Sequence, residues 1–123
     1  APAPSNTTTT APFSPAAVAA LQAAGKTVLV VFTADWCLTC KANEALVLNT
    51  ASTDALLAQH NITRLTADWT RYDSAITAEL QRFGARGVPL YVLYQPDGGT
   101  YVFPTLLTPR LFEHHLQLAL QQQ

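Results

Sequence analysis

The run Thr27-Val28-Leu29-Val30-Val31-Phe32-Thr33 does most to limit how this chain can fold. It is β-branched and aromatic, and it shows no alternation of apolar with polar residues. A strand that faces water on one side shows that alternation. A strand without it is covered on both faces, in a mixed or parallel sheet. The apolar stretch Val28 to Phe32 is far too short to cross a bilayer. Helices on both sides must therefore supply the cover.

The flanking sequence supplies them. Ser14-Pro15 reads as an N-cap followed by proline at the first helical position, with Val18 and Leu21 on the apolar stripe and Gly25 closing the helix. Ala34-Asp35-Trp36 is a loop, and Cys37 to about Leu48 reads as the next helix. A short helical piece follows, capped by Ser52 or Thr53 and packed through Leu56 and Leu57. Ile62 to Ala67 is a second strand. Asp73 or Ser74 starts a helix with Ile76, Leu80 and Phe83 inward, ended by Gly84. Leu90–Tyr94, the turn Pro96-Asp97-Gly98-Gly99 and Thr100–Phe103 form a hairpin. Thr108-Pro109 opens a last helix with Leu111, Phe112, Leu116, Ala119 and Leu120 facing the core. Strands alternating with helices, then a hairpin, give an α/β fold with a central mixed β-sheet flanked by helices on both faces.

Two segments divide the 123 residues. Residues 1–13, beginning Ala-Pro-Ala-Pro-Ser-Asn and rich in Thr, carry no charge and no apolar period. They read as a flexible Pro/Thr-rich linker, which implies something on its other side. Residues 14–123 read as one domain. Only 12% of residues are charged and the net charge is −1, so there is no electrostatic footprint for nucleic acid.

The two cysteines stand two residues apart in Trp36-Cys37-Leu38-Thr39-Cys40-Lys41. A bridge between them closes too small a loop to restrict the unfolded chain much, so reactivity explains the pair better than stapling does. Cys37 falls where the buried strand gives way to a helix. Free N–H groups and the positive dipole end there favour a thiolate. Cys40, one turn further in, is within reach of a mixed disulfide on Cys37. Cys37 is thus the expected nucleophile and Cys40 the resolving thiol. A structural zinc site needs four ligands, and His60, His114 and His115 are far away in sequence. A copper-binding or redox-inactive recognition module, with the two thiols as soft ligands, is opposed by the absence of Met and of a nearby His. No metal or other cofactor is expected beyond the Cys37–Cys40 couple.

Four further features surround the pair. Val88-Pro89 precedes the hairpin strand, and read alone it fits either a trans proline opening a strand or a cis bond that frees the backbone of Val88 for an extended substrate. Asp35 precedes Trp36-Cys37, and Lys41 adjoins Cys40. Glu44 lies one helical turn after Cys40. Carboxylates close to the dithiol oppose thiolate formation. Asp35 as a helix cap and Glu44 as a solvated residue are the plainer readings.

With these residues identified, Thr27 to Leu120 resembles the thioredoxin superfamily, on the buried strand, Trp36-Cys37-Leu38-Thr39-Cys40-Lys41 and Gly87-Val88-Pro89. Within it, Ala34-Asp35-Trp36-Cys37 and Lys41-x-x-Glu44 look like the C-terminal periplasmic domain of the DsbD-type membrane thiol:disulfide interchange proteins. Asn43-Glu44, Ala67-Asp68-Trp69-Thr70 and Gly87-Val88-Pro89-Leu90-Tyr91 look like their ScsB-type relatives, linked to copper tolerance. The resemblance implies a thioredoxin fold and a protein-disulfide reductase. It implies electrons arriving from a transmembrane domain and leaving to an N-terminal periplasmic domain of the same protein, then to periplasmic thiol proteins. It implies a periplasmic location for a monomeric domain tethered to the inner membrane through the linker. Carried over, Cys37 attacks, Cys40 resolves, Pro89 is cis and Glu44 tunes the thiols. Two departures stand out. Val31, six residues before Cys37, occupies the position where many relatives carry a buried Asp, and Leu90 follows Pro89 where thioredoxins have Thr. A free thioredoxin-like reductase is the rival reading. An oxidase of the DsbA type needs a helical insertion for which Ala67–Val88 has no room.

Overall fold

The computed structural model describes residues 10–122. Its elements run β1 (Ala11–Pro12), α1 (Pro15–Ala23), β2 (Thr27–Thr33) and α2 (Leu38–Asn43), which passes into a π-helical turn (Glu44–Leu48). Then come α3 (Ala51–Gln59), β3 (Ile62–Asp68), α4 (Ser74–Arg82), β4 (Leu90–Tyr94), β5 (Thr100–Val102) and α5 (Pro109–Leu120). The sheet order is β1-β3-β2-β4-β5. β2 pairs parallel with β3 (Val30 opposite Leu65) and antiparallel with β4 (Val30 opposite Val92). All seven residues of β2 are buried, which is why its sequence lacks alternation.

Side chains of a strand point alternately to opposite faces, and β2 divides its core accordingly. Leu29 and Val31 pack with Val47, Leu48, Phe112 and Leu116, under the π turn and α5. Val28, Val30 and Phe32 pack with Val18, Ile76 and Leu80, under α1 and α4. The mixed sheet with helices on both faces is the thioredoxin fold expected from the sequence.

Local chemistry sets the helix ends. Ser14, Asp73 and Thr108 each accept an N–H of the first turn through the side chain. Gly25 and Gly84, at φ +79° and +71°, end α1 and α4, and the next residues' N–H groups reach back to Leu21 O and Leu80 O at 2.9 Å. The cap of α3 is Thr50, whose side chain accepts from Thr53 N, and not Ser52 or Thr53. Three hydroxyl residues crowd this junction, and composition does not rank them.

The linker boundary also moves. Residues 1–9 lie outside the described residues, but Thr10–Phe13 belong to the sheet edge. Ala11 and Pro12 pair with Leu65 and Thr66 of β3, and Phe13 N donates to Thr66 O at 2.8 Å. The Phe13 ring packs on Phe32 with centroids 5.7 Å apart. An exposed strand edge accepts backbone of almost any sequence, so a segment without apolar period still becomes ordered there.

Candidate dithiol site

The site forms where β2 ends. The chain leaves Thr33, turns through Ala34-Asp35-Trp36 and enters α2 with Cys37 as its N-cap. The Cys40 N–H donates to Cys37 Sγ at 3.1 Å. The cap of this helix is therefore the cysteine sulfur and not Asp35, and the same N–H favours negative charge on that sulfur. Cys37 and Cys40 are joined by a disulfide, with Cα atoms 5.2 Å apart. The two differ in access: Cys37 is 8% exposed and Cys40 is 0% exposed. An incoming thiol or disulfide can reach the first sulfur only.

Val88 packs against Ala34, Cys37 and Cys40, so the loop before β4 lies over the disulfide. The Val88–Pro89 peptide is cis. Trp36 lies beside the pair with its ring half exposed, and its Nε1 donates to Thr70 O at 3.1 Å.

The charged residues named from the sequence separate here. The Asp35 side chain is 79% exposed and meets Lys41 Nζ at 3.8 Å. The Glu44 side chain is 14% exposed. It accepts the Thr33 hydroxyl at 2.5 Å on one oxygen and Lys41 Nζ at 3.3 Å on the other. It is thus a held carboxylate and not a solvated one. Val31 and Glu44 line the same cavity of about 310 Å³, together with Thr33, Lys41 and Arg64. The acid absent at position 31 is therefore matched by one that borders the same space from the π turn.

Arg64 was not foreseen. It is 6% exposed in β3, donating to Leu48 O and Asn49 Oδ1 at 2.9 Å each, which anchors the end of the π turn. Burial lowers its pKa, opposed by the charge of Glu44. Asn43, three residues past Cys40, donates to Tyr91 OH at 2.9 Å and Thr105 O at 2.8 Å.

Sequence reasoning also missed the aromatic group beside the disulfide. Trp36, Trp69 and Tyr72 are in mutual ring contact, with centroids 5.0–6.0 Å apart. Thr70 laces their loops together, accepting Asp35 N at 2.9 Å on its hydroxyl oxygen while donating that hydroxyl to Asp68. Hydrogen bonds from the Thr70 hydroxyl and then its N–H hold the Asp68 carboxyl below its ordinary pKa. The available signal was positional. β2 and β3 are parallel, so the loops after Thr33 and Asp68 leave the same end of the sheet.

Among the described residues, no group of three or more His, Cys, Asp or Glu is placed to hold a metal ion, and no helix is long and apolar enough to cross a membrane. His115 Nδ1 and the Tyr101 hydroxyl share a hydrogen bond at 2.7 Å.

Comparison with known proteins agrees with this geometry. The model of a family described as thioredoxin-like matches residues 8–96. The chain is 36% identical over 83 residues to thiol:disulfide interchange protein DsbD 1 of Pseudomonas aeruginosa, covering 68% of this chain and 14% of that protein. It is 37% identical over 82 residues to DsbD of Ralstonia nicotianae, covering 67% of this chain and 13% of that protein. The chain thus spans about one seventh of the length of these curated relatives. Among solved structures, the oxidised C-terminal domain of Neisseria meningitidis DsbD superposes with a TM-score of 0.72 at 22% identity, over 90% of this chain and 99% of that one. A cysteine pair of which only Cys37 reaches solvent, at the end of a covered central strand and under a cis-proline loop, accompanies this match over most of the chain, and the chain belongs to the thioredoxin-like family.

Proposed function

We propose that this chain is the thiol–disulfide exchange domain of a longer DsbD-type protein, passing electron pairs from a membrane-embedded domain to periplasmic disulfide partners. The observation that carries the reading is the asymmetry of the disulfide: Cys37 touches solvent and Cys40 does not. In the reduced domain the Cys37 thiolate attacks a partner disulfide, and one partner sulfur leaves as a thiolate. Cys40, deprotonated in turn, attacks the Cys37 sulfur of the mixed disulfide. The second partner sulfur leaves and the Cys37–Cys40 bond forms. Two electrons pass to the partner, and the two protons given up by the cysteines balance those taken by the two partner thiolates. The reverse exchange with a dithiol of the membrane-embedded domain recharges the pair.

Val88 packs on the cysteine pair and, with Trp36 and Pro89, receives the partner chain. Glu44 sets the charge around the pair, with Lys41 as its ion-pair partner, and Asp35 meets Lys41 at the exposed rim. The residues before the sheet edge serve as the tether to the inner membrane, and an N-terminal periplasmic domain of the same protein is the first recipient. The couple needs no other cofactor, and the domain works as a monomer. The relationship to DsbD proteins supports this placement.

The test is trapping. Cys40→Ser expressed in a bacterial periplasm accumulates a mixed disulfide through Cys37, identified by mass spectrometry, and Cys37→Ser does not. The wild-type dithiol reduces insulin in vitro, and Cys37→Ser is inactive. Adducts on Cys37→Ser in place of Cys40→Ser reverse the two roles, and a wild-type dithiol inert toward insulin ends the proposal.

A further inference from the structure

We infer that Trp36, Trp69 and Tyr72 form a docking platform for an extended polypeptide whose disulfide cysteine has an aromatic or large aliphatic residue within two positions. This rests on the exchange function above and names the class of substrate that the site selects.

The first argument is continuity with the reacting atom. Any partner must bring a sulfur to Cys37, which is itself only 8% exposed, so the partner surface has to lie against the rim. That rim is apolar: Trp36 is 48% exposed, Tyr72 61% and Leu38 86%. Tyr72 stacks on Trp36 with centroids 5.8 Å apart and planes 25° apart, so its ring extends the surface that starts at the residue next to the nucleophile.

The second argument is rigidity. Trp69 meets the Tyr72 ring edge-on at 5.0 Å, and its Nε1 donates to the Thr77 hydroxyl of α4 at 2.7 Å. Trp69 also lies over Gly87, where a Cβ would meet its ring at 3.5 Å, so the platform is continuous with the loop that carries Val88 and Pro89. Aromatic surface fixed in advance loses little entropy when a partner docks.

The third argument is backbone strain. Tyr72 sits at φ +57°, in the left-handed region that a bulky side chain rarely adopts. Gly or Asn would hold this turn at lower cost, as Gly25 and Gly84 do at two helix ends. A large ring kept in a strained position, and kept exposed, points to a use for the ring outside the fold. The charges at the rim do not offer an alternative basis for selection. Lys41 faces Asp35, and Asp68 feels both Arg71 and Lys41, so both signs are present at the rim. Apolar contact is what remains to distinguish partners.

The experiment uses two synthetic octapeptides with one central cysteine, flanked on both sides by Phe or by Ser, each oxidised to its disulfide dimer. The reduced domain is mixed with each, and released peptide thiol is followed by chromatography. The wild type is expected to favour the Phe peptide in the second-order rate constant of this single exchange by roughly 3- to 10-fold, the scale of one or two aromatic contacts. Tyr72→Asn and Tyr72→Gly, both able to hold φ above zero, should bring that ratio to within about 2-fold of unity, while the rate of iodoacetamide alkylation at Cys37 stays at the wild-type value. Equal rates on the two peptides with the wild type, or an undiminished preference in both variants, overturns the platform and leaves exchange standing. Slower alkylation in the variants also overturns it, since Tyr72 then acts on the thiol and not on the partner. A wild-type dithiol that reduces neither peptide removes the exchange function and the platform together.

Discussion

The Thr33 hydroxyl donates to Glu44 Oε2 at 2.5 Å, tying the last residue of β2 to the first residue of the π turn. This bond keeps a carboxylate at the base of the dithiol helix where a freely rotating side chain would swing into water. A negative charge near Cys37 disfavours its thiolate, against the pull of the Cys40 N–H. Glu44→Gln keeps an acceptor for Thr33 and removes the charge. The reduced variant is expected to react with iodoacetamide at pH 6 roughly 3-fold faster than wild type, with the rate profile displaced to lower pH. Asp35→Asn should change little, because the Asp35 side chain is 79% exposed and water screens it. Superimposable profiles for Glu44→Gln and wild type would show that the carboxylate does not tune the thiol.

Asn43 carries a different load. Its amide donates to Tyr91 OH and Thr105 O, and its oxygen accepts Leu107 N at 3.3 Å, so one buried side chain fastens α2 both to β4 and to the loop after β5. Asn43→Ala leaves Tyr91 OH and Leu107 N without this partner in a buried setting. The expected loss is about 2–3 kcal/mol in denaturant unfolding. A loss below about 0.5 kcal/mol would mean that water replaces these bonds freely.

The parts of this fold that were legible in the sequence are those where one residue type has one physical use. Unbroken β-branched residues in β2 mean burial on both faces, and a cysteine pair at a strand–helix junction means reactivity. Illegible parts depend on where distant segments meet. Arg64 looks like the outward residue of an alternating strand, and the carbonyl of Leu48, the amide oxygen of Asn49 and the charge of Glu44 make its burial tolerable. The π turn has the apolar pattern of an ordinary helix, since Val47 and Leu48 face inward in either geometry. Tyr72 and Trp69 stand among polar residues in a loop. Their relation to Cys37 follows from the parallel pairing of β2 with β3, which no local pattern encodes.

The sheet edge supplies a test of where the domain begins. Phe13 is half buried, packs its ring at a tilt on Phe32 and follows the two residues that pair with β3. Phe13→Ala is expected to cost about 1–2 kcal/mol, less than a fully buried ring would. Removing residues 1–13 should lower Tm further than the point substitution, because the backbone pairing of Ala11 and Pro12 goes as well. An unchanged Tm after that deletion would return Thr10–Phe13 to the linker.

The buried tyrosines of β4 should weaken the fold at alkaline pH. Burial raises the Tyr91 pKa to about 12. Burial also raises Tyr94, with the Glu79 carboxylate, which accepts its hydroxyl at 2.7 Å, adding to the effect. An unfolded tyrosine titrates near pH 10. Above that pH the unfolded chain releases these protons while the folded chain keeps them, so the unfolded state binds fewer protons and stability falls as pH rises. Each group contributes a slope of up to about 1.4 kcal/mol per pH unit. For Tyr91 the fall ends near pH 12, where the folded state titrates too. Urea unfolding between pH 8 and pH 11 should therefore show a plateau to about pH 9 and a loss of about 2–3 kcal/mol by pH 11. Tyr91→Phe and Tyr94→Phe should each remove about half of that loss, with the double variant nearly flat. Both rings keep their packing in these variants, so a lower plateau measures the lost hydroxyl bonds and the slope measures the titration alone. A wild-type curve that stays level through pH 11 would mean that both hydroxyls ionise as readily inside the fold as outside it, and that neither is shielded by β4.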